Sequence, residues 1–273
     1  MWTKISRVLK QNFPPVHKHL TALSSSAFQH GVGFCIPRRI AGHLVWTHPR
    51  LLTAEAPEAH ILKWISELLS TGATFFDVGA HYGWIAMAAA YRVGDSGRVV
   101  AFEPSPVLLD VLNQHKRVNR LRQIEIVAKA VSNADADAVP FFLVNRGLSF
   151  RNSLTIGADD TPHIAVAEKT RHEVGSVTLD RFVLDSGIVP SVIKIDVEGA
   201  ELLVLQGAER LLARYRPYLI LGVHSYWLPP SQTVGQIFDF LSRYGYQIED
   251  EHAVQFEGGY VADYLCGQRR TSL

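Results

Sequence analysis

Between Ala73 and His224 the chain repeats one pattern: a short, nearly pure apolar run, then a stretch whose apolar residues recur every three or four positions. The runs are "ATFFDVG", "GRVVAFE", "IEIVAKAV", "SVIKIDVEG" and "PYLILGVH". Strands without polar alternation are buried on both faces, and crossover helices between parallel strands are what cover them. Those helices are legible. Ile61, Trp64, Ile65, Leu68 and Leu69 keep helical spacing up to Gly72, residues 82 to 92 follow, and "SPVLLDVLNQHKRVN" has Ser105 at a cap and Pro106 at the first helical position. "AELLVLQGAERLLARY" reads as one helix, and Val234, Ile237, Phe238 and Leu241 mark another. "VPFFLV" and "GSVTLDRF" read as strand pieces, and "YQIEDEHAV" with "GYVADYLC" as a closing hairpin. The pattern predicts an α/β fold, a doubly wound and mostly parallel sheet with an antiparallel edge hairpin. Ligands of such sheets bind beyond the carboxyl ends of the strands.

The first 56 residues, with "NFPP", "GVGF", "IPRR" and "THPR", lack this pattern and are expected to be an irregular N-terminal extension, a substrate cap, ahead of a domain over 57–273. Lys plus Arg number 27 and Asp plus Glu 26, so no global field steers the chain to nucleic acid or an anionic membrane, and a small-molecule partner is expected. The basic run "HKRVNRLR", 115–122, reads as a solvated helix end. Two cysteines, Cys35 and Cys266, suggest neither a disulfide framework nor a paired-Cys zinc site. Trp2, Ile5, Val8 and Leu9 could form an apolar face near the start, but nothing approaches a membrane-spanning run, and the expected location is the cytoplasm. Oligomeric state is left open.

The stretch "FFDVGAHYGWIAMAAA" turns from strand to helix through two glycines. Gly79 and Gly83 permit a tight turn and close approach of a ligand to the backbone, and the helix N-terminus beyond favours an anionic group. Asp77, however, stands where a dinucleotide fingerprint begins with glycine, and a carboxylate there repels a pyrophosphate. The ligand should therefore carry a cation as well. Glu103, in "VVAFEPS", follows Gly83 at about the 20-residue spacing of a ribose-binding carboxylate. The pair describes a nucleoside joined to a positively charged, amino-acid-like group.

In order, "FFDVGAHYG", "VVAFEPSP", "KAVSN", "SVTLD", "IKIDVEGAE" and "LGVHSYW" resemble the FkbM-type methyltransferases over roughly residues 57 to 250. The resemblance implies a class I methyltransferase fold of seven strands, S-adenosylmethionine as cofactor, and O-methylation of a sugar or polyketide-like natural product. Carried over by position, Asp77, Gly79, Ala80, His81, Tyr82 and Gly83 would surround the methionine end. Glu103 and Pro104 would meet the ribose, Ala130 and Val131 the adenine, and Asp196 the cofactor's amino group and reacting methyl. His81 stands where the family usually has asparagine.

Asp196 ends a strand that is apolar apart from Lys194, so its carboxylate should emerge where the sheet opens. His224 ends the next strand beside it, and its unperturbed pKa of about 6.5 suits a base. His224 is expected to take the acceptor proton, with Asp196 or Glu198 orienting or replacing it, whereas Glu201 reads as a first-turn acid complementing the helix dipole. Asp196, Glu198 and His224 could also supply ligands to a divalent metal, although no motif fixes one. Trp46, Tyr226 and Trp227, and the polar "LSFRNSL" with Ser149 and Ser153, are further candidates near a substrate. Two other readings stay open from sequence: a nucleotide-dependent oxidoreductase using the same sheet edge, and a non-catalytic nucleoside-binding module.

Overall fold

A computed structural model describes residues 35–48, 59–144, 154, 169–225, 227–256 and 259–268. Their centre is a seven-stranded sheet in the order β11-β12-β10-β9-β3-β4-β5. Here β3 is Thr74–Val78, β4 Arg98–Phe102, β5 Ile124–Val127, β9 Val192–Ile195, β10 Tyr218–His224, β11 Tyr246–Phe256 and β12 Gly259–Gln268. Neighbours from β5 to β10 are parallel, and β12 runs antiparallel to both β10 and β11. The hairpin therefore joins through its return strand, which lies inside the sheet and leaves β11 at the edge.

Successive strand residues feed two separate cores. Phe76, Val78, Ile193, Ile195, Leu219 and Leu221 pack under α4 (Leu179–Ser186), α5 (Glu201–Gln206), α6 (Glu209–Tyr215) and α7 (Val234–Arg243). Phe75, Val99, Val192 and Ile220 face the other way, against α1 (Ala59–Leu68) and α2 (Trp84–Val93). By this alternation Asp77 and Lys194 share the α1/α2 face, paired across β3 and β9. The α3 helix, Pro106–Val118, descends from the tip of β4.

Four segments depart from the sequence reading. "IEIVAKAV" is not one strand: Lys129 N bonds Val127 O at 2.9 Å, and the chain leaves the main sheet to form β6, Ala130–Val131. This β6 pairs with β8 (Lys169–Val177), which also pairs with β7 (Ala136–Val144) in a three-stranded sheet. "GSVTLDRF" stops being a strand at Val177, because the Thr178 hydroxyl accepts the N–H of Arg181 and caps α4. "AELLVLQGAERLLARY" breaks at Gly207, where a Cβ would collide with the Ser132 carbonyl. Asp180 then accepts the N–H groups of Arg210 and Leu211, at 2.9 and 2.8 Å, and starts a second helix. Finally, the extension contains a regular hairpin, β1 (Ile36–Ile40) and β2 (His43–Thr47). Its turn, Ala41-Gly42, has φ of 48° and 84°, the two positive values a two-residue hairpin loop needs.

Candidate active site

The strand tips of β3, β4, β9 and β10 converge on one edge. The turn after β3 is tightly built: Gly79 N and Ala80 N both donate to Phe102 O, at 3.1 and 3.0 Å, tying it to β4. Gly79 has φ 81°, and a Cβ there would drive into the backbone carbonyl of Asp196. Gly83 has φ 78°, and its Cβ would meet Leu112 of α3. Only glycine lets this turn lie flat between two neighbours. His81, left-handed at φ 52°, is half-buried at the surface of the turn, while Ala80 and Tyr82 are buried.

Glu103 is 4% exposed at the tip of β4. Its Oε2 accepts His81 N and its Oε1 accepts Ser105 N, both at 2.8 Å. Each oxygen keeps a second lone pair, so the carboxylate can still receive two hydroxyls. Burial pushes its pKa up to about 7, against the opposing pull of those two N–H groups. Pro104 is half-buried beside it.

Below the turn, two acids flank one buried lysine. Asp77 is fully buried rather than open to the edge, and neither of its oxygens has a hydrogen-bond partner of good geometry. Lys194 Nζ stands 3.8 Å from Asp77 Oδ1 and 3.0 Å from Asp196 Oδ2. Burial raises the Asp77 pKa while Lys194 opposes it. For Asp196 burial acts upward too, but Lys194 and His224 outweigh it and hold the carboxylate below its ordinary value. Asp196 keeps a side-chain exposure of 32%. It emerges at the open edge, as its place in the strand predicts.

His224 reaches the same place from β10. Its Nδ1 lies 3.9 Å from Asp196 Oδ1 and 3.8 Å from Glu201 Oε1, and its Nε2 lies 3.7 Å from Glu198 Oε1. Burial alone would lower the imidazole pKa, but Glu201, Glu198 and Asp196 hold it up at about 10. The three acids thus favour the charged form of the imidazole, where burial favours the neutral one. Glu198, raised to about 8 by burial first, has φ 55°, a strained backbone for a non-glycine residue. Glu201 does more than complement the dipole of α5: it is fully buried and turned toward the imidazole.

Other candidates are placed differently. Ala130 and Val131 are buried in β6, Ala130 among Phe141, Leu143 and Val174, so the side chains pack inward and their backbone is what can border a ligand. Trp227 is a core residue, 4% exposed, and Trp46 is exposed on the hairpin with its backbone tied to Asn119. Tyr226, Ser149 and Ser153 lie outside the described residues, as do residues 1–34.

His115 and Lys194 carry weight that the sequence reading missed. His115 begins the basic run yet is fully buried; its ring bonds the Tyr82 carbonyl through Nδ1 and accepts His48 N at Nε2, both at 2.8 Å. It thereby links the N-terminal hairpin to the glycine turn. The cations of the run behave as a solvated end: Lys116, Arg117, Arg120 and Arg122 line a cleft of about 830 Å³ at the far end of α3.

Residues 77–248 match a family profile described as the Methyltransferase FkbM domain, a span that holds Asp77, Glu103, Asp196, Glu198, Glu201 and His224. No curated protein matches the chain. Similar solved structures include Methyltransferase FkbM from Methylobacillus flagellatus KT, at 15% identity and TM-score 0.44, covering 78% of this chain and 51% of that one. The chain spans about half the length of that relative. Precorrin-6y C5,15-methyltransferase from Geobacter metallireducens GS-15 aligns at 12% identity and TM-score 0.45, over 78% of this chain and 90% of that one. A SAM-dependent methyltransferase from Aquifex aeolicus aligns at 13% and 0.41, over 76% and 88%.

Proposed function

The chain belongs to the FkbM methyltransferase family, and from that premise we propose that it moves the methyl group of S-adenosylmethionine to a hydroxyl of a small molecule, a sugar or natural product. The observation that carries the reading is Glu103: a buried carboxylate at a strand tip, its oxygens fixed by His81 N and Ser105 N, with lone pairs left for two ribose hydroxyls. The turn fits the same cofactor. Gly79, Ala80, His81, Tyr82 and Gly83 offer a surface without projecting Cβ atoms at its two tightest points, which suits the methionine end. Pro104 would border the ribose, and the backbone of Ala130 and Val131 the adenine. Asp77 acts from beneath, where it and Lys194 hold the tip of β9.

When bound, the cofactor supplies a methyl group activated by its sulfonium charge. The chain's own work is to place an oxygen in line with it, and alignment of this kind is worth several kcal/mol of barrier, on the order of 7–11 in favourable cases. Asp196, partly exposed and held at one oxygen by Lys194, turns its other oxygen toward His224 of β10. His224, with Asp196 and Glu198 beside it, would line the place of the acceptor hydroxyl and ease the departure of its proton. Family membership sets aside the oxidoreductase reading.

The test is incubation with methyl-labelled adenosylmethionine and separate pools of hydroxylated small molecules and RNA, with products resolved by mass spectrometry. Label on an oxygen of a small molecule is the expected result. Label confined to RNA, or to nitrogen or carbon, overturns the acceptor class.

A further inference from the structure

Asp196, Glu198 and His224 each offer one donor atom, and the three atoms lie within 4.8 Å of one another where β9 and β10 end. The imidazole stands apart from both carboxylates of this set. His224 Nε2 faces Glu198 Oε1 at 3.7 Å and Nδ1 faces Asp196 Oδ1 at 3.9 Å, separations longer than a hydrogen bond. Donors that share a cation at bond lengths of about 2.0–2.4 Å stand roughly 3–5 Å apart, which is the spacing observed. The side chains are 32%, 13% and 12% exposed in that order, so the centre is reachable from the open edge yet shielded from bulk water.

A second observation comes from Glu201. It is fully buried; its Oε1 accepts Gly199 N at 3.0 Å and lies 3.8 Å from His224 Nδ1, and its Oε2 has no hydrogen-bond partner. A ligating histidine commonly gives its other ring N–H to such a carboxylate, which fixes the tautomer and the ring. Glu201 stands on the Nδ1 side of the imidazole and Glu198 on the Nε2 side, so Glu201 is the carboxylate placed to take that role when Nε2 ligates. Lys194 occupies Oδ2 of Asp196 at 3.0 Å and leaves Oδ1 available.

We propose that Asp196, Glu198 and His224 bind one divalent cation of the Mg²⁺ or Mn²⁺ class, with Glu201 as the positioning residue behind the imidazole. Two carboxylate oxygens and one imidazole nitrogen form a hard-to-borderline donor set, and three ligands leave positions open for water or an acceptor oxygen. The ion's service to catalysis rests on the methyl-transfer reading above: it draws the acceptor hydroxyl to the strand tips and eases loss of its proton to solvent. Binding of the ion itself does not rest on that reading.

The experiment titrates Mn²⁺ into the full chain after EDTA treatment and gel filtration, following the free-Mn²⁺ electron paramagnetic resonance signal, with no substrate present. One Mn²⁺ per chain is expected, with affinity at least tenfold weaker in Glu198→Gln and in Glu201→Gln, each checked for an unchanged thermal melt. Should Glu201→Gln melt early, Glu198→Gln decides alone. Wild type that retains no Mn²⁺, or Glu198→Gln that retains it equally, overturns the site. The same samples are titrated with adenosylmethionine. Cofactor binding without Mn²⁺ binding sinks the metal and leaves the methyl-transfer reading standing; Mn²⁺ binding without cofactor binding does the reverse.

Discussion

The ammonium of Lys194 stands 3.0 Å from the carboxylate of Asp196 with Asp77 at 3.8 Å on its other side, one buried cation serving two acids of adjacent strands. Burial acts to lower the Lys194 pKa, but Asp196 and Asp77 reverse that and raise it, so the charge is held at any ordinary pH. Lys194→Met strands Asp77 in the core without a counter-charge. The expected loss is about 3–5 kcal/mol in urea unfolding. Adding Asp77→Asn removes the stranded charge and should recover part of the loss; an additive double mutant would show that the two do not interact.

Glu103 gives a pH dependence of known sign. Its folded pKa is about 7 against an ordinary 4.5, so its contribution to folding is full below 4.5 and is lost as the pH rises through 7. Under the proposed role of Glu103, cofactor binding runs the other way, because ribose hydroxyls need the ionised acceptor. Affinity for adenosylmethionine, followed by tryptophan quenching, should therefore fall as the pH drops below about 7. Glu103→Gln should cost roughly 1.5–3 kcal/mol of binding and flatten that dependence.

His115 ties the hairpin to the cofactor turn. His115→Ala leaves the Tyr82 carbonyl and His48 N–H without their bonds, at about 1–3 kcal/mol for each buried group. Both thermal stability and cofactor affinity should fall, the second through the turn that His115 supports at Tyr82. Burial lowers its pKa from 6.5 to about 4, against the bond to Tyr82, so its contribution is present above 6.5 and is lost as the pH falls through 4. Urea midpoints at pH 6.5 and 4 should thus differ less in the variant than in wild type.

Gly79→Ala tests the turn itself. A left-handed backbone at φ 81° costs a non-glycine residue about 1–3 kcal/mol, and the new Cβ must also displace the Asp196 carbonyl. Cofactor affinity should drop with it. Gly187→Ala serves as the control, since at φ 69° it has similar strain but nothing within 4 Å of its Cβ, and it caps α4 ahead of β9 instead of lying in the turn.

Much of this was legible in the residues. Periodicity alone separates the parallel strands from their helices, and Asp77, Glu103 and Asp196 declare themselves as acids closing apolar runs. What escaped depends on contacts between distant segments. Nothing local distinguishes "IEIV" from "AKAV", and the second pairs with β8 more than 40 residues later. Gly207, where the helix breaks, lies against the Ser132 carbonyl, and the buried His115 is bonded by His48, just past the hairpin. Lys194 had a readable signal, one cation in an apolar strand, but its partner Asp77 appears only when β3 and β9 are set in register. The hairpin at residues 36–47 also had one, an Ala-Gly pair between two β-rich runs, masked by the prolines and basic residues around it.

Isothermal calorimetry with S-adenosylmethionine bears most directly on the central claim, that the tips of β3 and β4 hold this cofactor. Wild type at pH 8 should bind one equivalent, and Glu103→Gln should bind at least tenfold more weakly with its fold intact. Folded wild type, freed of any co-purified ligand, that gives no heat, or Glu103→Gln that binds as tightly as wild type, would contradict it.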